Sequence, residues 1–148
     1  MDLFVCWANV WRSQVAEWFA KKLWKNVLSC AWVEARKEKY FNKPEKVVTS
    51  ILLEDYNIDI SNQEVFYPKD IKNNINDINN IYFLFDPKKS QEPDKDNLIN
   101  WLTFWDYLDS IWRNYIIYEI EDPDAKYINT IKSIVDDLYN LINKIYLI

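Results

Sequence analysis

No glycine occurs in the 148 residues of this chain. At the usual frequency of roughly 7% the chance of that is on the order of 10⁻⁵. Every left-handed turn, helix stop and close backbone approach must therefore be taken by a residue that carries a Cβ. Tryptophan is in excess, at eight. It is poorly suited to stand in, because a bulky side chain fits neither a left-handed backbone nor a closely packed one.

Histidine is absent as well. That excludes a Ser-His-Asp or Cys-His pair and the usual His/Cys zinc site. A nucleophilic cysteine here must lose its proton to backbone dipoles and cations instead. No metal or cofactor is expected. The net charge of −5 argues against nucleic acid as the main partner. Residues 1–46 carry nine Lys/Arg and five Asp/Glu, a balance of +4; residues 47–148 carry nine and eighteen, a balance of −9. An anion site is expected in the basic first third. No apolar run approaches the roughly 18 residues of a membrane span, so no membrane partner is expected. The short stretch Leu3 to Val5 lacks the basic lead and cleavage site of a signal peptide. Two cysteines in such a chain point to reduced thiols and a cytoplasmic location.

The pattern along the chain predicts one α/β domain over residues 1–148. Leu3 to Val5 reads as a buried strand ending at Cys6. Val15, Phe19 and Leu23, with Ala16 and Ala20, keep helical spacing from Ser13 onward. "NVLSCA" (26–31) reads as a second strand, and Pro44 opens a second helix that Asn57 stops in a left-handed conformation. A short helix is expected within 67–80, a central strand at 81–85, a helix over 97–112 and a strand at 115–120. The last helix carries Ile128, Ile131, Val135, Leu138, Ile142 and Ile145 at three- and four-residue steps. Strands alternating with helices predict a central parallel sheet of about four strands with helices on both faces. Ligands in such sheets sit at the C-terminal strand ends. Cys6 lies at one such end, and "EDPD" (121–124) at another.

Residues 7–12 can curl so that successive backbone N–H groups point inward at a helix N-terminus, a nest for a tetrahedral anion. The same dipoles, with Arg12, favour a Cys6 thiolate. Arg12 can grip two phosphoryl oxygens with its planar fork. In-line attack by Cys6 would give a thiophosphate intermediate, and Asp122 is placed to protonate the leaving oxygen. A lone cysteine at a strand end is ordinarily a small buried hydrophobe, and Asp-Pro an ordinary turn starter. Cysteine, five residues, then Arg-Ser between a strand and a helix is far more specific.

On these residues the chain resembles the low-molecular-weight protein tyrosine phosphatases and the related thioredoxin-type arsenate reductases. The family loop reads Cys-x-Gly-Asn-x-x-Arg-Ser, then Pro or Gln, then x-Ala-Glu; Cys6, Asn9, Arg12, Ser13, Gln14, Ala16 and Glu17 match. The likeness continues through "SCAWVEA", "NIDISNQ" and "EDPDAK", and is weakest between about 86 and 114. It implies Cys6 as nucleophile, Arg12 as phosphate ligand and Asp122 as general acid. Trp7, Ala8, Asn9, Val10, Trp11, Arg12 and Ser13 would form the phosphate-binding loop. Asn9 would hold its strained backbone, and Ser13 would bond the Cys6 sulfur. Ala8 stands where the family has glycine, and Trp11 where it usually has a small residue.

The implied activity is metal-independent hydrolysis of phosphotyrosine or similar aryl phosphates, on a phosphorylated protein or a small substrate. A second reading is arsenate reduction with an external thiol partner, since no cysteine follows Cys30. A third is an inactive phosphoprotein-binding module, favoured if Trp7 and Trp11 block the loop. Trp11, Trp18, Trp24 and Trp32 fall where relatives commonly carry glycine. The ordinary fate of tryptophan is aromatic core; zero glycine beside eight tryptophans raises a second reading, that UGA codons meaning glycine in the source were translated as tryptophan.

Overall fold

Three apolar residues in succession at the N-terminus, Leu3, Phe4 and Val5, bury both faces of one strand, as a central parallel strand requires. This strand is β1 (Asp2–Cys6), followed by α1 (Arg12–Lys22), β2 (Val27–Ala31), α2 (Lys46–Tyr56), β3 (Asn80–Phe83), β4 (Leu98–Ile99), β5 (Leu102–Thr103), β6 (Tyr115–Ile117) and α3 (Ile128–Ile145). The computed structural model describes residues 1–7, 9, 11–32, 43–66, 76–86, 98–99, 102–103, 115–123 and 126–147.

The main sheet is parallel throughout, with strand order β2-β1-β3-β6. The chain leaves β1 for β2 on one side, then returns past β1 to β3 on the other. That reversal opens a crevice at the carboxyl ends of β1 and β3, where Cys6 sits. Beyond β6 the pairing runs on, with Tyr118 N–H bonding Phe83 O at 2.8 Å and Ile120 N–H bonding Leu84 O at 3.1 Å.

Alternation along β1 divides the core. Phe4 and Cys6 face a layer built by Val15, Ala16 and Phe19 of α1, Val48, Ile51 and Leu52 of α2, and Ile131, Val135 and Leu138 of α3. Leu3 and Val5 face the other way, with Cys30, Ile81 and an aromatic group of Trp32, Phe83 and Phe85. Each of these fully buried aliphatic side chains stabilises the fold by roughly 1.5–3 kcal/mol, before chain entropy is set against it.

The four-stranded parallel α/β architecture agrees with the expectation. Details differ. Pro44 precedes the Glu45 N-cap of α2 rather than sitting in its first turn. Ile128 is exposed, and Ile134 supplies the buried contact instead. The helix expected over 97–112 is not seen at its described residues: Leu98–Ile99 and Leu102–Thr103 pair as antiparallel strands. Apolar residues in a short run satisfy strand and helix spacing alike, and cross-strand pairing prevails here. The rest of that segment, and most of 67–80, lies outside the described residues. Among the described residues no helix is long and apolar enough to cross a membrane.

Candidate active site

The chain turns from β1, which ends at Cys6, into α1, which begins at Arg12. Asn9 makes that turn with a left-handed backbone, φ 57°. Asparagine is one of the few residues with a Cβ that visits this region readily. Its side chain is also fully used. Asn9 Nδ2 donates to Ser13 Oγ at 2.7 Å and to Ser29 Oγ at 2.8 Å. Asn9 Oδ1 accepts from Gln14 Nε2 at 3.1 Å and from the Phe66 N–H at 2.8 Å. Two donors and two acceptor sites exhaust the amide, and the residue is fully buried.

This network fastens the loop to three parts of the fold. Ser29 belongs to β2. Gln14 Nε2 also donates to Glu64 O at 3.0 Å, and Ala31 N–H bonds Phe66 O at 2.8 Å. Residues 64–66 therefore form a strap between β2 and the loop. Ser29 and the strap are not identifiable by periodicity; only the family likeness in "SCAWVEA" and "NIDISNQ" points towards them.

The reactive groups stand inside this frame. Cys6 Sγ lies 2.9 Å from Ser13 Oγ, both buried. Arg12 is 7% exposed. Its Nη1 donates to Leu84 O at 3.3 Å, beyond β3, and to Ile120 O at 2.9 Å, beyond β6. The Phe85 ring centroid lies 6.0 Å from the guanidinium carbon. No carboxylate among the described residues pairs with this buried cation. It sits, moreover, at the positive end of α1, which has no acidic residue in its first turn and no side-chain cap. A cation held there against the helix dipole makes a receptor for an anion.

Of the residues expected to bind phosphate, Asn9, Trp11, Arg12 and Ser13 are buried, and Trp7 is half-buried, edge-on to Phe85 at 6.1 Å. Ala8 and Val10 lie outside the described residues. Asp122 is exposed, two residues beyond the Ile120 carbonyl that Arg12 holds. Its neighbour Glu121 is engaged with Lys126 at 3.5 Å, and Pro123 is buried. Asp124 lies outside the described residues. The second thiol, Cys30, pairs in register with Val5 and faces the opposite side of the sheet from Cys6.

The overall shape has clear counterparts. An arsenate reductase from Archaeoglobus fulgidus superposes with a TM-score of 0.69 at 17% identity, over 98% of both chains. The low-molecular-weight protein tyrosine phosphatase from T. tengcongensis gives 0.66 at 19% identity, over 97% of this chain and 95% of that one. An arginine phosphatase from Geobacillus stearothermophilus gives 0.66 at 17% identity, over 97% and 88%. The chain has the low-molecular-weight phosphatase fold. No family model and no curated relative matches its sequence. The resemblance seen in the loop residues is thus matched by a likeness of the whole backbone, at an identity that speaks for the fold alone.

Proposed function

We propose that this protein hydrolyses phosphotyrosine or similar aryl phosphates through a Cys6 phosphoenzyme. The observation that carries the reading is the buried Arg12, unpaired with any described carboxylate, at the α1 N-terminus beside the Cys6–Ser13 pair. A bound phosphoryl group supplies the missing negative charge. The Cys6 thiolate attacks phosphorus, the S–P bond forms and the P–O bond to the leaving group breaks. Asp122 gives its proton to the departing oxygen. Water then attacks the thiophosphate, Asp122 takes a proton back, and the thiolate leaves with Ser13 Oγ donating to it. Arg12 follows the equatorial oxygens through both steps.

A second reading, arsenate reduction, is favoured by the likeness to arsenate reductases and by the similar shape of the two oxyanions. The opposed facing of Cys6 and Cys30 argues against an internal disulfide, so an external thiol partner would supply both electrons. The deciding experiment sets aryl-phosphate hydrolysis beside thiol-dependent arsenate reduction on purified protein. Cys6→Ser should abolish hydrolysis and Cys30→Ser should leave it nearly intact. Loss of activity in the Cys30 variant would revive a two-thiol redox mechanism; absence of aryl-phosphate hydrolysis in the unsubstituted protein would sink the phosphatase reading.

A further inference from the structure

Helix α1 ends in a way that names the residue it was built for. Lys25 N–H bonds Ala20 O at 3.1 Å and Trp24 N–H bonds Lys21 O at 2.9 Å. This interlocked pair closes a helix when the residue between is left-handed, a position taken above all by glycine. Here it is Trp24, at φ 61°. A Cβ in that conformation crowds the neighbouring carbonyl. Two other helices among the described residues stop in the same way, both at φ 55°: α2 at Asn57, a residue suited to the task, and α3 at Leu147, beside the C-terminus. Trp24 has no short polar group to bond its own backbone. It is also 96% exposed, so no packing offsets the strain and a whole indole stands in water.

Three further observations point the same way. The indole N–H groups of Trp11 and Trp18 are buried without an acceptor among the described residues. Such groups ordinarily find a partner when buried. Ile99 and Leu102 pair across an antiparallel ladder, and the sequence between them is Asn100-Trp101. The favoured sequence for a two-residue connection is Asn-Gly. Finally, glycine is missing from the whole chain while tryptophan stands at eight.

We infer that the eight tryptophans are glycines in the protein its own cell makes, UGA being read there as glycine and here as tryptophan. The replacement relieves the α1 stop, removes two unpartnered buried N–H groups and gives the sequence between Ile99 and Leu102 as Asn-Gly. It also takes two indoles, at positions 7 and 11, out of the anion loop, where close backbone approach to an oxyanion is required.

The inference does not rest on the proposed activity, and its test does not use it. The codons at the eight positions in the source gene should all be UGA, and the intact native protein should be lighter than the written chain by about a kilodalton. The native tryptic peptide covering residues 13–21 should carry glycine at position 18. UGG codons, or tryptophan in that peptide, overturn the inference. A recombinant Trp24→Gly variant of the chain as written adds a physical arm: its melting midpoint should rise by several degrees. An unchanged or lower midpoint would show that position 24 does not want glycine, and would count against it.

Discussion

The two ends of α1 solve one backbone problem with opposite success. At its N-terminal side Asn9 is left-handed, φ 57°, and its side chain makes four hydrogen bonds to Ser13, Ser29, Gln14 and Phe66. At its C-terminal side Trp24 is left-handed, φ 61°, and its side chain projects into water. The angle is nearly the same, but asparagine takes it readily, whereas for tryptophan it costs roughly 1–2 kcal/mol. The compensation differs too. Strain kept by a dense network belongs to a site that must be held in one geometry; at Trp24 no such network holds it.

The largest effects should come from breaking the N-terminal side. Asp122 lies two residues beyond the Ile120 carbonyl that Arg12 holds at that end. General-acid help is typically worth ~10²–10⁴-fold, so Asp122→Asn should slow phenyl phosphate by about that factor and activated aryl phosphates much less. Vanadate binding should survive, because it rests on the loop and Arg12. Equal loss for good and poor leaving groups would remove the acid role; Glu121, tied to Lys126, would be tested next.

Asn9→Gly separates conformation from bonding at the same turn. Glycine accepts φ 57° without strain but leaves Ser29, Gln14 and the Phe66 N–H short of a partner. Each orphaned buried group costs about 1–3 kcal/mol. Stability should fall by a few kcal/mol and turnover by at least about tenfold. A variant with wild-type turnover would mean that the backbone angle alone shapes the loop.

This contrast also explains what could be read from sequence. The spacing of Cys6, Arg12 and Ser13 between a strand and a helix was legible because the combination, unlike a lone cysteine at a strand end, has no ordinary packing role. Asn57 as a left-handed stop was legible because its type announces the angle. The strap through Glu64 and Phe66 was not, since its contribution is a carbonyl and an N–H, which every residue owns. Nor was the β4–β5 pair, whose four residues fit a helical face equally well. The exposed Trp24 could be suspected from composition, but its left-handed angle needed the backbone.

Repair at the C-terminal side should have a smaller effect and leave chemistry alone. Trp24→Asn borrows the solution of Asn57 and should stabilise the chain by about 0.5–1 kcal/mol, with unchanged turnover. Urea unfolding of the two proteins measures it. A loss of stability would mean that the indole makes an apolar contact in solution that its 96% exposure denies.

The smallest effect lies next to that stop, in alkaline solution. Lys25, the last residue of the α1 stop, holds its ammonium 5.2 Å from the Tyr146 ring centroid. The Tyr146 phenol donates to Asp2 Oδ2 at 2.8 Å. Burial first, then the hydrogen bond to Asp2 and the charge of Asp2, push its pKa above the ordinary tyrosine value. Tyr56 is raised in the same way, by burial and then by its bond to Asp136. A phenol that keeps its proton longer in the folded chain contributes stability that is complete below the unfolded pKa of about 10 and fades as pH rises through the folded value. Unfolding midpoints should therefore show no tyrosine contribution to their slope between about pH 7 and 9, then decline above about 10. Tyr146→Phe should flatten part of the decline, and adding Tyr56→Phe should flatten more. Neutral-pH turnover should not change, since Asp2 and Cys6 stand about 13 Å apart at opposite ends of β1. A decline of the same steepness in the double variant would place the alkaline weakness elsewhere; a change in turnover would couple the two ends that this comparison separates.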